Sequence, residues 1–383
     1  MNPPEVGCDI AWPAWQRGRT IMNLRMLVPM IGAAIAMAVV AGCSTGSAAS
    51  VTWKQVLRQP AAWYSTPEAA SVGEAVLSYQ TPSGGWPKNW DMTHPLSDAF
   101  RALKESERAP TIDNGGTTIP IRLLARIHSA QEKVPAFREA VERGIDYLLA
   151  AQYASGGWPQ FFPLRKGYYS HITFNDGAMV HAMEILRDVA AGRNEFDWID
   201  AARRERARDA VARGVACILR CQVTIDGVKS AWCAQHDENT FAPAPARAFE
   251  PACLASAESV DILRFLMQEP AQTPELIAAV EAGVAWLEKV RIAGLRWQRI
   301  KAPGLPEGID AVVVPDPAAP PLWARFYELH ANRPIFIGRD GVVHFAVSEI
   351  EHERRIGYAW YVTSPAKLLE KDLPEWRGGK AAN

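Results

Sequence analysis

The chain has 383 residues, 48% of them hydrophobic and 22% charged, with 41 Lys and Arg against 42 Asp and Glu. That length and composition fit one large or two smaller globular domains with a sizeable core. The net charge of -1 excludes the overall electrostatic footprint of a nucleic-acid binder and leaves room only for a local basic cleft.

The chain opens on a leader. From Met22 it reads MNLRMLVPMIGAAIAMAVVAGC: a basic Arg25, an apolar run, then small residues, the pattern of a secretory signal. Val40-Ala41-Gly42-Cys43 resembles a bacterial lipobox, with Cys43 as the lipidated first residue of the mature protein; an ordinary cleaved signal or a single anchor is the alternative. Ser44 lacks the acid that retains lipoproteins in the inner membrane, so the expected address is the periplasm or the outer membrane. Residues 1–43 are then extension and signal, 44–50 a Ser/Ala-rich tether, and 51–383 a single catalytic domain.

A repeat follows. Val72 to Gln80, GIDYLLAAQ from Gly144, GVACILRCQ from Gly214 and GVAWLEKV from Gly283 share apolar residues at helical spacing, with glycines about 70 residues apart. Further amphipathic helices are predicted over 117–130, 177–190 and 256–267, and short strands over 334–337 and 342–347. A helix pair with a long Gly/Pro/Trp-rich loop per unit predicts an all-α-dominated fold: an incomplete α/α toroid whose loops form an irregular, partly stranded cleft face. SGGWP closes two of these units, at Ser83 and Ser155; Trp86 and Trp158 are either packing plugs or aromatic platforms for a sugar. Cys217, Cys221, Cys233 and Cys253 lack paired C-x-x-C spacing, so they read as buried thiols or one disulfide.

Polar residues gather at matched places in the repeats. Asp113-Asn114 precedes one helix and Asn175-Asp176 the next, and both pairs are expected at the same end of the toroid. Asp and Asn also cap helices, but two such pairs suit a shared site, and their oxygens suit a hard cation such as calcium. In the third repeat Ala246-Arg247-Ala248-Phe249-Glu250 is expected in the corresponding place. Arg325, Arg333 and Arg339 add guanidinium forks, which bind carboxylates bidentately. Acids and arginines around aromatic loops point to a sugar carrying carboxylates.

GGWPKN at Gly84, TIDNGGTT at Thr111, GGWPQFFPLRKGYYSHITFNDGAM at Gly156, ARAFE at Ala246, WARFYEL at Trp323 and NRPIFIGRDG at Asn332 resemble polysaccharide lyase family 10, the pectate lyases, in order from about Gln80 to Tyr361. The resemblance implies calcium-dependent anti β-elimination of de-esterified polygalacturonate by a helical toroid. It assigns Arg247 as the base. It assigns Asp113, Asn114 and Asp176 to calcium and substrate, and Arg325 and Arg339 to substrate carboxylates. Asn175, Arg333, Trp86 and Trp158 complete the candidate substrate-binding set. The sequence departs from the family pattern at Gly116 and over 251–256, close to Arg247. A lipid-anchored monomer acting on oligogalacturonides is the expectation. An inverting glycoside hydrolase, with two carboxyls roughly 6.5–9.5 Å apart, and a non-catalytic pectic-oligosaccharide-binding lipoprotein are the alternatives.

Overall fold

Seven longer helices form two layers in the computed structural model, which describes residues 51–131 and 134–381. The first layer holds α1 (Pro67–Ser78), α3 (Pro135–Ala151), α5 (Ala201–Cys221) and α7 (Pro274–Lys289). The second holds α2 (Thr118–Ala130), α4 (Ala178–Ala191) and α6 (Ser256–Met267). Each helix packs on its partner across the layers and on its neighbour within its own layer. The result is an incomplete α/α toroid, and the predicted helices match the observed ones to within a residue. The leader, with Cys43 and the tether, lies outside the described residues.

Three of the repeated glycines share a physical cause, whereas a Cβ at Gly73 would meet the Phe137 ring at 2.7 Å. A Cβ at Gly144 would lie 2.6 Å from Ile121 and 3.0 Å from the Trp86 ring. One at Gly214 would meet Met183 at 2.6 Å and Trp158 at 3.2 Å, and one at Gly283 would meet Leu263 at 2.9 Å and Trp232 at 3.1 Å. Trp86, Trp158 and Trp232 therefore each set a ring edge against the glycine of the following first-layer helix.

The indole N–H of each Trp donates to a carbonyl at the end of its own first-layer helix: Trp86 to Val76 (2.9 Å), Trp158 to Leu148 (2.8 Å), Trp232 to Ile218 (2.8 Å) and Trp323 to Leu287 (2.7 Å). All four indoles are wholly buried. Trp86 and Trp158 are thus corrected from candidate sugar platforms to core plugs, since a ring without exposed face cannot stack on substrate.

The glutamines that close the repeated segments act as clamps. Gln80 Nε2 donates at 2.8 Å both to Gly84 O in its own loop and to Ala140 O in the next first-layer helix. Gln152 does the same with Gly156 and Ala210, and Gln222 with Ser230 and Ala279. A buried amide that satisfies two backbone carbonyls ties each loop to its neighbour repeat.

Little of the chain is stranded. Phe336–Ile337 pairs with Val343–His344 inside the two regions predicted as strands. The longest pairing, Leu295–Lys301 with Ile309–Pro315, was not predicted. Residues of Ser364–Ala381 pack on α6, where Arg264 Nε bonds Asp372 at 2.7 Å. Cys217, Cys221, Cys233 and Cys253 are buried free thiols. No helix among the described residues is long and apolar enough to cross a membrane.

Candidate active site

Two tight turns lead into α2 and α4 and pack against each other. In the first, Asn114 adopts φ 49°, ψ 29°, followed by Gly115; in the second, Asp176 adopts φ 49°, ψ 30°, followed by Gly177. Asn and Asp tolerate this left-handed region better than other side chains. Neither turn forms a side-chain cap, so capping does not account for these residues.

The shared left-handed position matches Asn114 with Asp176 and so Asp113 with Asn175: acid and amide exchange places between the repeats. Asp113 is buried, whereas the Asp176 carboxylate is 42% exposed.

The third repeat differs from expectation. Thr111 N–H donates to Trp86 O at 3.0 Å, Thr173 N–H to Trp158 O at 3.1 Å, and Ala255 N–H to Trp232 O at 2.8 Å. Ala255, not the Arg247 segment, therefore holds the corresponding place. Glu258, in the first turn of α6, supplies the acid of this repeat. Arg247 comes from a separate upstream turn closed by Ala246 N–H to Glu250 O at 2.9 Å.

Around the turns, cations are already engaged. Lys88, directly after the first Trp-Pro plug, pairs with Asp113 Oδ2, while Asp113 Oδ1 is buried without a partner. Asn114 donates to Asn89 at 3.1 Å and Asn175 to Asp176 at 2.9 Å. Arg325 Nη2 is shared between Asp176 (2.9 Å) and the buried Glu258, whose Oε2 has no partner. Burial opposes the charge of Arg325, but Glu258, Tyr358 and Asp176 together outweigh it, so its proton is held more tightly than in free arginine. This arginine is a fixed buried charge at the base of the cleft. It does not present a free fork.

The other arginines surround one ring. Arg247 and Arg339 each lie 4.9 Å from the centroid of Phe249, and Arg354 lies 5.1 Å away. Arg247 forks onto Glu250, with Nε donating at 2.9 Å, and that contact raises its pKa. Arg339 pairs with Glu353 at 2.8 Å. Arg333 pairs with Glu328 at 3.0 Å and lies over Phe345, outside the Phe249 group.

Arg354 differs from these. Buried among Phe249, Tyr358 and Trp360, among the described residues it has only the Ile337 carbonyl at 3.4 Å and no carboxylate within ion-pair reach. Burial, and then the charge of Arg339, lower its pKa. Arg354, Lys88, Glu250 and Glu258 are the site residues that sequence reasoning did not single out. The one available signal was the Arg354-Arg355 doublet in EHERRIGYAW.

The residues suit a divalent cation. Asp113 Oδ1 and Glu258 Oε2 are orphaned carboxylate oxygens, and Asp176, Asn114 and Asn175 add further hard oxygen donors. A second polar group, His171, Asp237 and Glu238, presents ligand atoms within 4.8 Å of one another. It arises because Ile172–Thr173 pairs with Gln235–His236, which places His171 opposite Asp237.

Among curated protein sequences, none matches this chain. Among solved structures, the family 10 polysaccharide lyase from Cellvibrio cellulosa is similar at 33% identity and a TM-score of 0.70, over 83% of this chain and 93% of that one. An Asp-to-Ala mutant of that lyase in complex with trigalacturonic acid is similar at 33% identity and a TM-score of 0.69, over 84% and 98%. Residues 80–369, which carry both turns, the arginines around Phe249 and the Glu258–Arg325 pair, match the family described as pectic acid lyase, and with these likenesses they make the chain a member of it, a pectate lyase.

Proposed function

We propose that the chain cleaves de-esterified polygalacturonate by calcium-dependent anti β-elimination, releasing 4,5-unsaturated oligogalacturonides. One observation carries this reading: the first helix-leading turn and α6 hold orphaned carboxylate oxygens at Asp113 and Glu258, and the same chain gathers three arginines on Phe249. A uronate is the ligand class that needs both a cation bridge and guanidinium partners. The trigalacturonic acid bound by the Cellvibrio cellulosa mutant supports the same substrate class.

The C5 proton of galacturonate is acidic because it lies α to a carboxylate. Asp113, Asn114 and Asp176 are the residues that would hold calcium, which supplies fixed positive charge at that carboxylate when bound. Arg354 and Arg339 face the charge that develops as the proton leaves, in a setting where preorganised donors count most. Arg247 takes the C5 proton, the electron pair forms the C4–C5 double bond, and O4 departs with a proton from water. The Glu250 contact holds Arg247 protonated. Base action therefore requires that contact to open, and the nearby charge of Arg354 then favours the neutral guanidine. Arg325 acts through Asp176, by fixing the carboxylate that faces the cation.

Purified protein incubated with polygalacturonate tests the reading. Unsaturated product should accumulate with calcium and stop on chelation, and Arg247→Ala should abolish turnover while binding persists. Saturated products alone would favour a hydrolase and overturn it. We further propose export and lipid anchoring through Cys43, with action as a monomer. Cell fractionation of Cys43→Ser should then show the protein released from the membrane fraction.

A further inference from the structure

A second cation site lies beside the turns and is absent from the roles above. Arg165 lies between two rings, 4.4 Å from the centroid of Phe161 and 4.5 Å from that of Tyr169, which meet each other at 5.3 Å and 90°. Among the described residues its one hydrogen bond is Nη1 to Ser106 O at 3.3 Å, and no carboxylate lies within ion-pair reach. By contrast Arg247, Arg325, Arg333 and Arg339 all have acid partners.

The rings are themselves fixed. Phe161 bridges to Thr111, the Thr111 hydroxyl donates to Gln160 O, and Gln160 N–H donates to Tyr169 O at 3.0 Å. On one side Lys88, the partner of Asp113, lies 5.5 Å over Phe161. On the other, the Tyr168 ring lies tilted against Tyr169 at 4.1 Å, within electrostatic reach of Arg247 and Glu250. A half-buried guanidinium packed within 4.5 Å of two ring centroids, with no acid partner among the described residues, has lost part of its rotational freedom before any ligand arrives. Its contacts link it through Phe161 and Lys88 to the Asp113 turn, and through Tyr169 and Tyr168 toward Arg247.

We propose that Arg165 forms an outlying uronate subsite, which binds the carboxylate of a galacturonate unit other than the one that loses its proton. The inference rests on the lyase reading for its substrate. It predicts that longer acidic chains gain affinity through Arg165, and that Arg165 has no part in the chemical step.

The test compares wild type with Arg165→Gln on galacturonate oligomers from the dimer to the hexamer, with thermal unfolding as a check on folding. A lost charge-assisted contact should raise KM for hexagalacturonate about tenfold with kcat within about twofold, and flatten the rise of kcat/KM with chain length. Unchanged kinetics at every length would overturn the subsite, and so would an equal loss at every length. Calorimetric titration with hexagalacturonate separates this inference from the lyase reading. If wild type binds without turnover and the variant binds about tenfold more weakly, the subsite stands and the lyase reading falls. Equal affinities would overturn the subsite whatever the turnover.

Discussion

Replacement of Glu258 by Ala would leave Arg325 as a buried cation with only the half-exposed Asp176 as partner. The side chains of Glu258 and Arg325 are 1% and 10% exposed, so solvent cannot take over the lost charge. Loss of one member of such a pair costs about 3–5 kcal/mol. With an unfolding entropy of about 2.1 cal/mol/K per residue, a domain of roughly 330 residues changes by about 0.7 kcal/mol per degree, so Tm should fall by about 4–7 °C.

Thermal or urea unfolding at pH 7 with chelator present measures this without interference from bound calcium. The paired variant Glu258→Leu with Arg325→Met removes both charges and keeps volume. It should recover most of the loss, because the desolvation penalty disappears with the pair. A cost below about 1 kcal/mol for Glu258→Ala, or a paired variant no more stable than the single one, would refute the account of a buried, mutually dependent ion pair.

Three further outcomes are expected. Gly144→Ala should destabilise by about 1–3 kcal/mol through overpacking against Ile121 and Trp86, despite the better helix propensity of Ala, while Gly304→Ala, whose Cβ meets nothing within 4 Å, should be near neutral. Urea titrations distinguish the two. Buried His236 accepts Cys233 N–H at Nε2 (3.1 Å) and so donates from Nδ1 to Phe241 O (2.8 Å); burial lowers its pKa from 6.5 to about 4. The unfolded chain then binds the extra proton, so stability present above pH 6.5 should be lost as pH falls toward 4, by about 3 kcal/mol in all; His236→Gln should flatten that limb of the stability–pH curve. Calcium at a hundred times its Kd should stabilise the protein by about 2.7 kcal/mol, seen as a rise in Tm that Asp113→Asn with Asp176→Asn abolishes.

Much of the scaffold was legible because its signals are local. Apolar spacing marked α2, α4 and α6, and the glycine period marked the first-layer helices, since each glycine answers a nearby aromatic ring: Phe137 for Gly73 and an indole for the other three. The hairpin over 295–315 was missed because its strands are mostly half-exposed, so apolar residues do not alternate cleanly. At the site, the Asp113-Asn114 and Asn175-Asp176 turns were visible as motifs, but the burial of Asp113 and the exposure of Asp176 were not, because they depend on how neighbouring loops pack. The commitment of Arg325 to Glu258 and Asp176 was equally hidden: these partners stand 67 and 149 residues away in the chain, and only the closing of the helical layers joins them.

The glutamine clamps have an evolutionary consequence. Through Nε2 each fastens its loop by backbone carbonyls, with Arg143 and Arg213 adding a side-chain bond to Oε1 in the first two copies only, and Ser230 stands where Gly84 and Gly156 stand in those copies. A fastening that ignores side-chain identity lets a duplicated unit change its surface chemistry without losing its seat. The acid that is buried in one copy and exposed in the next is the product of that freedom. A primitive array of identical helix pairs would need no new folding information to diversify into a site with several distinct roles.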